Sequence, residues 1–179
     1  MIELICIGTL ITIVIIISDR KKSKKYRKKH KTPKQKGIEG ENVISNIIQY
    51  APMYKKIVRN AYIDMNENKK TEIDIIAIST KGIYVIESKN YEGWILGDEK
   101  SNQWCQNIYN KKSYFYNPIK QNQTHIKSIN KILQLDEKMY ESLIIFNKAE
   151  IKKMFVSSSR TYVMNIQKFR FYMSQQDKL

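Results

Sequence analysis

The stretch TEIDIIAISTKGIYVIESKNYEG, residues 71–93, constrains the fold more than any other part of the chain. Two apolar runs, Ile73–Ile78 and Ile83–Ile86, are separated by a short turn at Lys81-Gly82. Their β-branched content and spacing predict a hairpin with a buried face. Yet Asp74 stands inside the first run, and the second ends in Glu87-Ser88-Lys89. Burying charge is costly unless it is paired or holds a metal ion. The fold must therefore supply partners for these groups.

Side chains alternate across a strand, so register decides which residues meet. A turn at Lys81-Gly82 puts Asp74 opposite Lys89, and a turn at Thr80-Lys81 puts it opposite Glu87. Either way Glu72, Asp74, Ile76, Ile78, Ile83, Val85, Glu87 and Lys89 share one face. Ile73, Ile75, Ala77, Tyr84, Ile86 and Ser88 share the other. The charges gather at the end away from the turn.

Two carboxylates a few ångströms apart repel unless a cation sits between them. A hard ion such as Mg²⁺, or Mn²⁺ in its place, takes oxygen ligands and keeps several waters. Asp74, Glu87 and the Ser88 backbone carbonyl are its candidate ligands. Lys89 would help with the attacking water and with negative charge on a phosphate. This is the apparatus of metal-assisted phosphodiester cleavage. The plainer alternative is a cross-strand ion pair worth a few tenths of a kcal/mol. Matching parity and apolar surroundings favour the site.

Residues 38–51, IEGENVISNIIQYA, carry apolar side chains at helical spacing. Glu41 falls on that helix's apolar stripe, three residues before Ile44, with Gly37 and Gly40 allowing close backbone approach. It is either a further acid of the site or a complement to the helix dipole. Asn117-Pro118 starts a second helix, with Ile119, Ile126, Ile129 and Leu133 as its buried stripe. Gln121, in its first turn, either orients a nucleotide or water, or faces solvent. Strands are expected at 54–63, 94–96, 114–116, 142–146 and 162–166, with a polar turn at 65–70. The order implies an α/β or α+β sandwich around a mixed sheet.

Leu4–Ile17 contains no charge, near the lower length limit for a helix crossing about 30 Å of hydrocarbon. Residues 1–19 are therefore read as a transmembrane anchor, ahead of a cleaved signal peptide, which wants a charged start and a small-residue cleavage site. Residues 20–36 hold eleven Lys or Arg and no acid, the composition of an extended linker. Basic flanks stay in the cytoplasm, which places the N-terminus outside and the domain inside. The run suits anionic lipid better than DNA.

Residues 1–36 account for +9 of the formal +15, from eleven bases against two acids, and the remainder for +6, from 21 bases against 15. The domain is moderately basic, compatible with a polyanionic partner. Two cysteines, one in the anchor, and two histidines exclude a disulfide framework and a structural zinc site. Aromatics interleave with lysines between residues 91 and 116. Lys100, Tyr109, Lys111 and Lys112 are the candidates for nucleic-acid contact, by stacking and charge.

GIEGEN (37–42), EIDIIAISTKGIYVIESKNYEGWILG (72–97), Trp104 and NPIKQNQTHI (117–126) closely resemble the nuclease-related domain, NERD, a bacterial branch of the PD-(D/E)xK nuclease superfamily that often follows a membrane helix. The resemblance covers residues 37–146. It implies a restriction-endonuclease-like α/β core with a mixed central sheet flanked by helices, spanning residues 37–150. Residues 151–179 then form a C-terminal strand and basic tail. It also implies that Glu41, Asp74, Glu87, Lys89 and Gln121 occupy the family's site positions, and that the substrate is nucleic acid, DNA ahead of RNA. The rival reading is a non-catalytic nucleic-acid-binding or interaction module on the same fold.

Overall fold

The computed structural model describes residues 31–66 and 69–176. The expected anchor (1–19) and most of the basic linker lie outside the described residues. Among the described residues, no helix is long and apolar enough to cross a membrane. The linker was expected to run to residue 36, but helix α1 (Pro33–Gln49) already includes its last four residues.

Five strands build the main sheet: β1 (Lys55–Asn66), β2 (Lys69–Ser79), β3 (Gly82–Lys89), β7 (Tyr140–Phe146) and β9 (Thr161–Asn165), in that spatial order. β1, β2 and β3 are antiparallel neighbours, and β7 and β9 add in parallel, so the sheet is mixed. A second sheet has the order β6 (Lys111–Tyr116), β5 (Gln103–Ile108), β4 (Trp94–Asp98), β8 (Glu150–Phe155). The turn expected at 65–70 shrinks, because β1 runs on to Asn66 and β2 starts at Lys69.

Helix α1 and a C-terminal helix, α3 (Ile166–Ser174), cover one face of the main sheet. There Ile44, Ile48, Phe169 and Met173 pack on Ile75, Tyr84, Ile86, Leu143 and Ile145. Helix α2 (Pro118–Leu133) lies on the other face, where Ile129 meets Ile76, Ile83 and Val85. The second sheet is on α2's side, with Ile95 and Trp104 against Ile119, Ile144 and Phe146. The expected stripe of α2 holds at Ile119 and Ile129, whereas Leu133 is exposed. Where a strand and basic tail were expected, residues Ile166–Ser174 form a helix, since Ile166, Phe169 and Met173 recur at helical spacing and the last two are fully buried.

Ser79 pairs with Gly82 and Ile75 with Ile86, so the hairpin turns at Thr80-Lys81. Gly82 has φ of +138°, and a Cβ there would lie 2.6 Å from the Met139 carbonyl oxygen. Glycine is required at that point.

Candidate active site

The β2–β3 ladder stops at the Ile75–Ile86 pair. Continued, it would bring Asp74 opposite Glu87. Instead the strands part, and the Asp74 carboxylate accepts the backbone N–H of Ser88 at 2.8 Å. The cause lies partly on β1, where Asn60, the residue facing Asp74, has φ of +49°. This left-handed residue in mid-strand breaks the pleat. Regular parity would put Ile73 and Ile75 on one face, but Ile75 packs under α1 and Ile73 joins the α2 side. The sequence-based face assignment thus holds from Ile75 onward and fails at Ile73.

Glu87 is buried, at 2 % exposure. Its Oε1 meets Lys89 Nζ at 2.7 Å. That ammonium also donates to Gln121 Oε1, at 3.2 Å, from the first turns of α2. Asn117 sets that helix in place: its side chain caps α2 through the Ile119 N–H and donates to the carbonyls of Asp98, Glu99 and Ser101. Glu41 sits at the β1 side of the cluster, 13 % exposed, 3.3 Å from Asn60 Nδ2 and 3.7 Å from Arg59 Nη2. Gly40 does permit close approach, because a Cβ there would come within 2.5 Å of Asn147 Nδ2. Gly37 has no such neighbour.

The charges perturb one another. Burial, reinforced by the carboxylates of Glu87 and Glu41, pushes the Asp74 carboxyl up to about 7, against the pull of the Ser88 N–H and Lys89. Burial likewise raises Glu87, while Lys89 and Gln121 pull it back. Burial alone would lower the Lys89 ammonium, but Glu87, with Tyr91 and Asp74, together outweigh it and raise the pKa. Lys89 is therefore a cation at neutral pH. Acids crowded in low dielectric beside a single ammonium are typical of functional sites, where such shifts are retained.

Glu87, Lys89 and Gln121 are thus joined by short-range contacts, with Asp74, held on the Ser88 N–H, and Glu41 coupled to them electrostatically. Ser88 stands at its rim, its hydroxyl accepting from Asn147 Nδ2 at 3.1 Å. In a strand the N–H and C=O of one residue point to the same edge, so the Ser88 carbonyl lies on the Asp74 edge. Among the described residues, no group of three or more His, Cys, Asp and Glu could hold a metal ion. The donor set on offer is two carboxylates and one carbonyl. Such hard oxygen donors fit an ion that keeps most of its waters.

Lys100, Tyr109, Lys111 and Lys112 all lie on the second sheet, but not together. Tyr109, 96 % exposed, and Asn110 form the β5–β6 turn with Lys111 and Lys112 beside it. Lys100 is in the β4–β5 turn, at the opposite end of β5. Trp104, Phe115 and Tyr91 are core aromatics packed around Phe146.

Two contributors escaped the sequence reading. His125 is buried one turn beyond Gln121, with Nδ1 3.6 Å from Glu87 Oε2; neither atom has a hydrogen-bond partner. Burial, with help from Lys89, pushes the imidazole down to about 4, so the ring is neutral. Its i+4 spacing from Gln121 was the available signal. Asn60 was not legible, since nothing local announces a left-handed residue inside a strand.

A mixed α/β core that presents two acids and a lysine from a broken hairpin, with a glutamine from a facing helix, is compatible with a nuclease-like domain. The family model described as "Nuclease-related domain" (NERD) matches residues 36–147, and the chain belongs to that family. An uncharacterized protein of Bacillus anthracis is 34% identical over 163 residues, covering 90% of this chain and 72% of the relative. No solved structure matches the chain.

Proposed function

We propose that this protein hydrolyses nucleic-acid phosphodiesters, DNA ahead of RNA, with a divalent cation held by Asp74, Glu87 and the Ser88 carbonyl. The observation that carries the reading is the juxtaposition of Asp74, Glu87 and Lys89 at the point where the hairpin opens. When bound, Mg²⁺ or Mn²⁺ would neutralise phosphate charge and acidify a water. Lys89, fixed between Glu87 and Gln121, sets a permanent positive charge where a phosphate would gain negative charge. Gln121 locks that ammonium in place and orients substrate or water. Glu41 adds negative potential that favours cation entry.

The test is cleavage of labelled single- and double-stranded DNA and of RNA by the full chain, with and without Mg²⁺ or Mn²⁺. Cleavage should require the ion and fall at least a hundredfold in Asp74→Asn, Glu87→Gln and Lys89→Ala. Retained cleavage in those variants would end the proposal. Calorimetric titration of Mn²⁺ into the wild type and Glu87→Gln reads ion binding without relying on turnover.

One observation favours the rival, a non-catalytic nucleic-acid-binding module: Lys89 Nζ already occupies Glu87 Oε1. On that reading the ammonium replaces the metal, and salt-sensitive binding survives Asp74→Asn without any ion requirement. In either case we place the domain at the cytoplasmic face of a membrane, N-terminus outside, tethered by residues 1–19, with residues 20–36 against anionic lipid. Fractionation of a chain lacking residues 1–19 tests this: it should leave the membrane fraction.

A further inference from the structure

The outer face of the second sheet carries side chains that the active site does not use. Strand pairing fixes which residues share it: Tyr116 pairs with Gln103, Tyr114 with Cys105, Lys112 with Asn107, and Asn107 in turn with Trp94. Trp104 and Phe115, of opposite parity, point into the core. On β8 a bulge lets Lys152 and Lys153 together oppose a single position, so the register passes from Ile95–Ile151 to Leu96–Lys153. Both lysines are exposed. Lys152 Nζ stands 5.0 Å from the centre of the Trp94 ring, and Lys153 Nζ 5.4 Å from that of Phe155.

The face therefore exposes four aromatic rings, with Trp94 at 49%, Tyr114 at 65%, Tyr116 at 56% and Phe155 at 57%, among Lys112, Lys152 and Lys153. Glu150 is one of its acids, and Lys152 neutralises it at 2.8 Å. Of the other, Asp98, one carboxylate oxygen accepts the Lys100 N–H.

We propose that this face is a stacking platform for unpaired nucleic acid, which gives the hydrolase reading a single-stranded substrate. Aromatic rings stack on bases of any sequence while neighbouring cations track the phosphates. Tyr114 and Tyr116 are two residues apart on one strand, roughly 6.8 Å. That is about twice the 3.4 Å rise of stacked nucleotides, a spacing that suits bases splayed from an extended strand. The one aliphatic side chain of this face is Leu96, half-buried; a membrane interface also takes Trp and Tyr, so anionic vesicles are the competing ligand in the test. Position supports the assignment too. β6 runs straight into α2, so Tyr116 stands five residues before Gln121, and Asn117 fastens that junction to the β4–β5 turn.

The platform can be tested apart from hydrolysis, by binding without divalent ions. The chain has two tryptophans, and Trp104 is 1% exposed, so emission changes on stacking report Trp94. Oligo(dT) titrated into the full chain in detergent should quench that emission saturably, and Trp94→Phe should remove the quench. By anisotropy of labelled oligo(dT), Tyr114→Ala and Tyr116→Ala should each weaken binding about fivefold or more. Tyr114→Phe and Tyr116→Phe should bind as wild type does, because the ring remains.

The proposal fails if the double alanine variant binds unchanged, or if duplex DNA competes as well as oligo(dT). It fails too if anionic phosphatidylserine vesicles quench Trp94 while oligo(dT) does not. Stacking without cleavage would refute the hydrolase and leave the platform. Cleavage with no Trp94 response would do the reverse.

Discussion

Asp74 is where a single side chain does what a backbone would otherwise do. Its carboxylate takes the Ser88 N–H that a continued ladder would have bonded, and its charge then sits near two other acids. With a pKa near 7 against an ordinary 3.8, the folded protein holds a proton there that the unfolded chain has released between those values. Stability therefore falls as pH rises from about 4 to 7. Asp74→Asn keeps an oxygen for Ser88 and removes the charge. It should stabilise the protein by about 2–4 kcal/mol at pH 8, at 1.36 kcal/mol per pKa unit, and the gain should vanish near pH 4. Thermal melts across that range read the trend, and a pH-independent difference would contradict it. Glu87→Gln should act oppositely. It strands the mostly buried Lys89 ammonium, and breaking such a pair costs about 3 kcal/mol, measurable by urea denaturation at pH 7.

At the scale of elements, the site depends on how α2 is moored. Asn117 is fully buried, caps the helix and donates to three carbonyls of the β4–β5 turn. Its spatial role exceeds that of an ordinary cap, because it binds the second sheet to the helix that presents Gln121 and His125. Asn117→Ala removes the cap and strands buried carbonyls, for about 2–4 kcal/mol in urea unfolding. Asn117→Ser should restore the cap alone and recover about 1 kcal/mol. An Asn117→Ser variant as stable as the wild type would show that the mooring bonds contribute nothing beyond the cap.

For the molecule as a whole, the core is split by the main sheet into an α1–α3 side and an α2 side, with the charged cluster at the open end of β3. The C-terminal helix belongs to that core, so Phe169→Ala should cost about 3–5 kcal/mol, visible as a lowered melting temperature although it lies far along the chain from the site. If a dication enters the cluster, Mn²⁺ should raise the melting temperature of the wild type and leave Glu87→Gln unmoved, since a ligand stabilises only the state that binds it. A shift of equal size in both would place the ion elsewhere.

The sequence by itself determined the hairpin, the helix begun at Asn117-Pro118, the mixed α/β class and the list of acids and lysine that share one end of a sheet. These follow from period, turn residues and charge in apolar runs, all of which are local. It did not reveal the parting of β2 from β3, the left-handed Asn60, the role of His125 or the C-terminal helix as core. Parity assumes an unbroken pleat, and a break imposed by a facing strand leaves no local trace. The Lys100–Tyr109–Lys111–Lys112 grouping separated for a related reason. Residues close in sequence lie at opposite ends of a strand when the turns between them alternate, and only the tertiary structure decides which turns share an end.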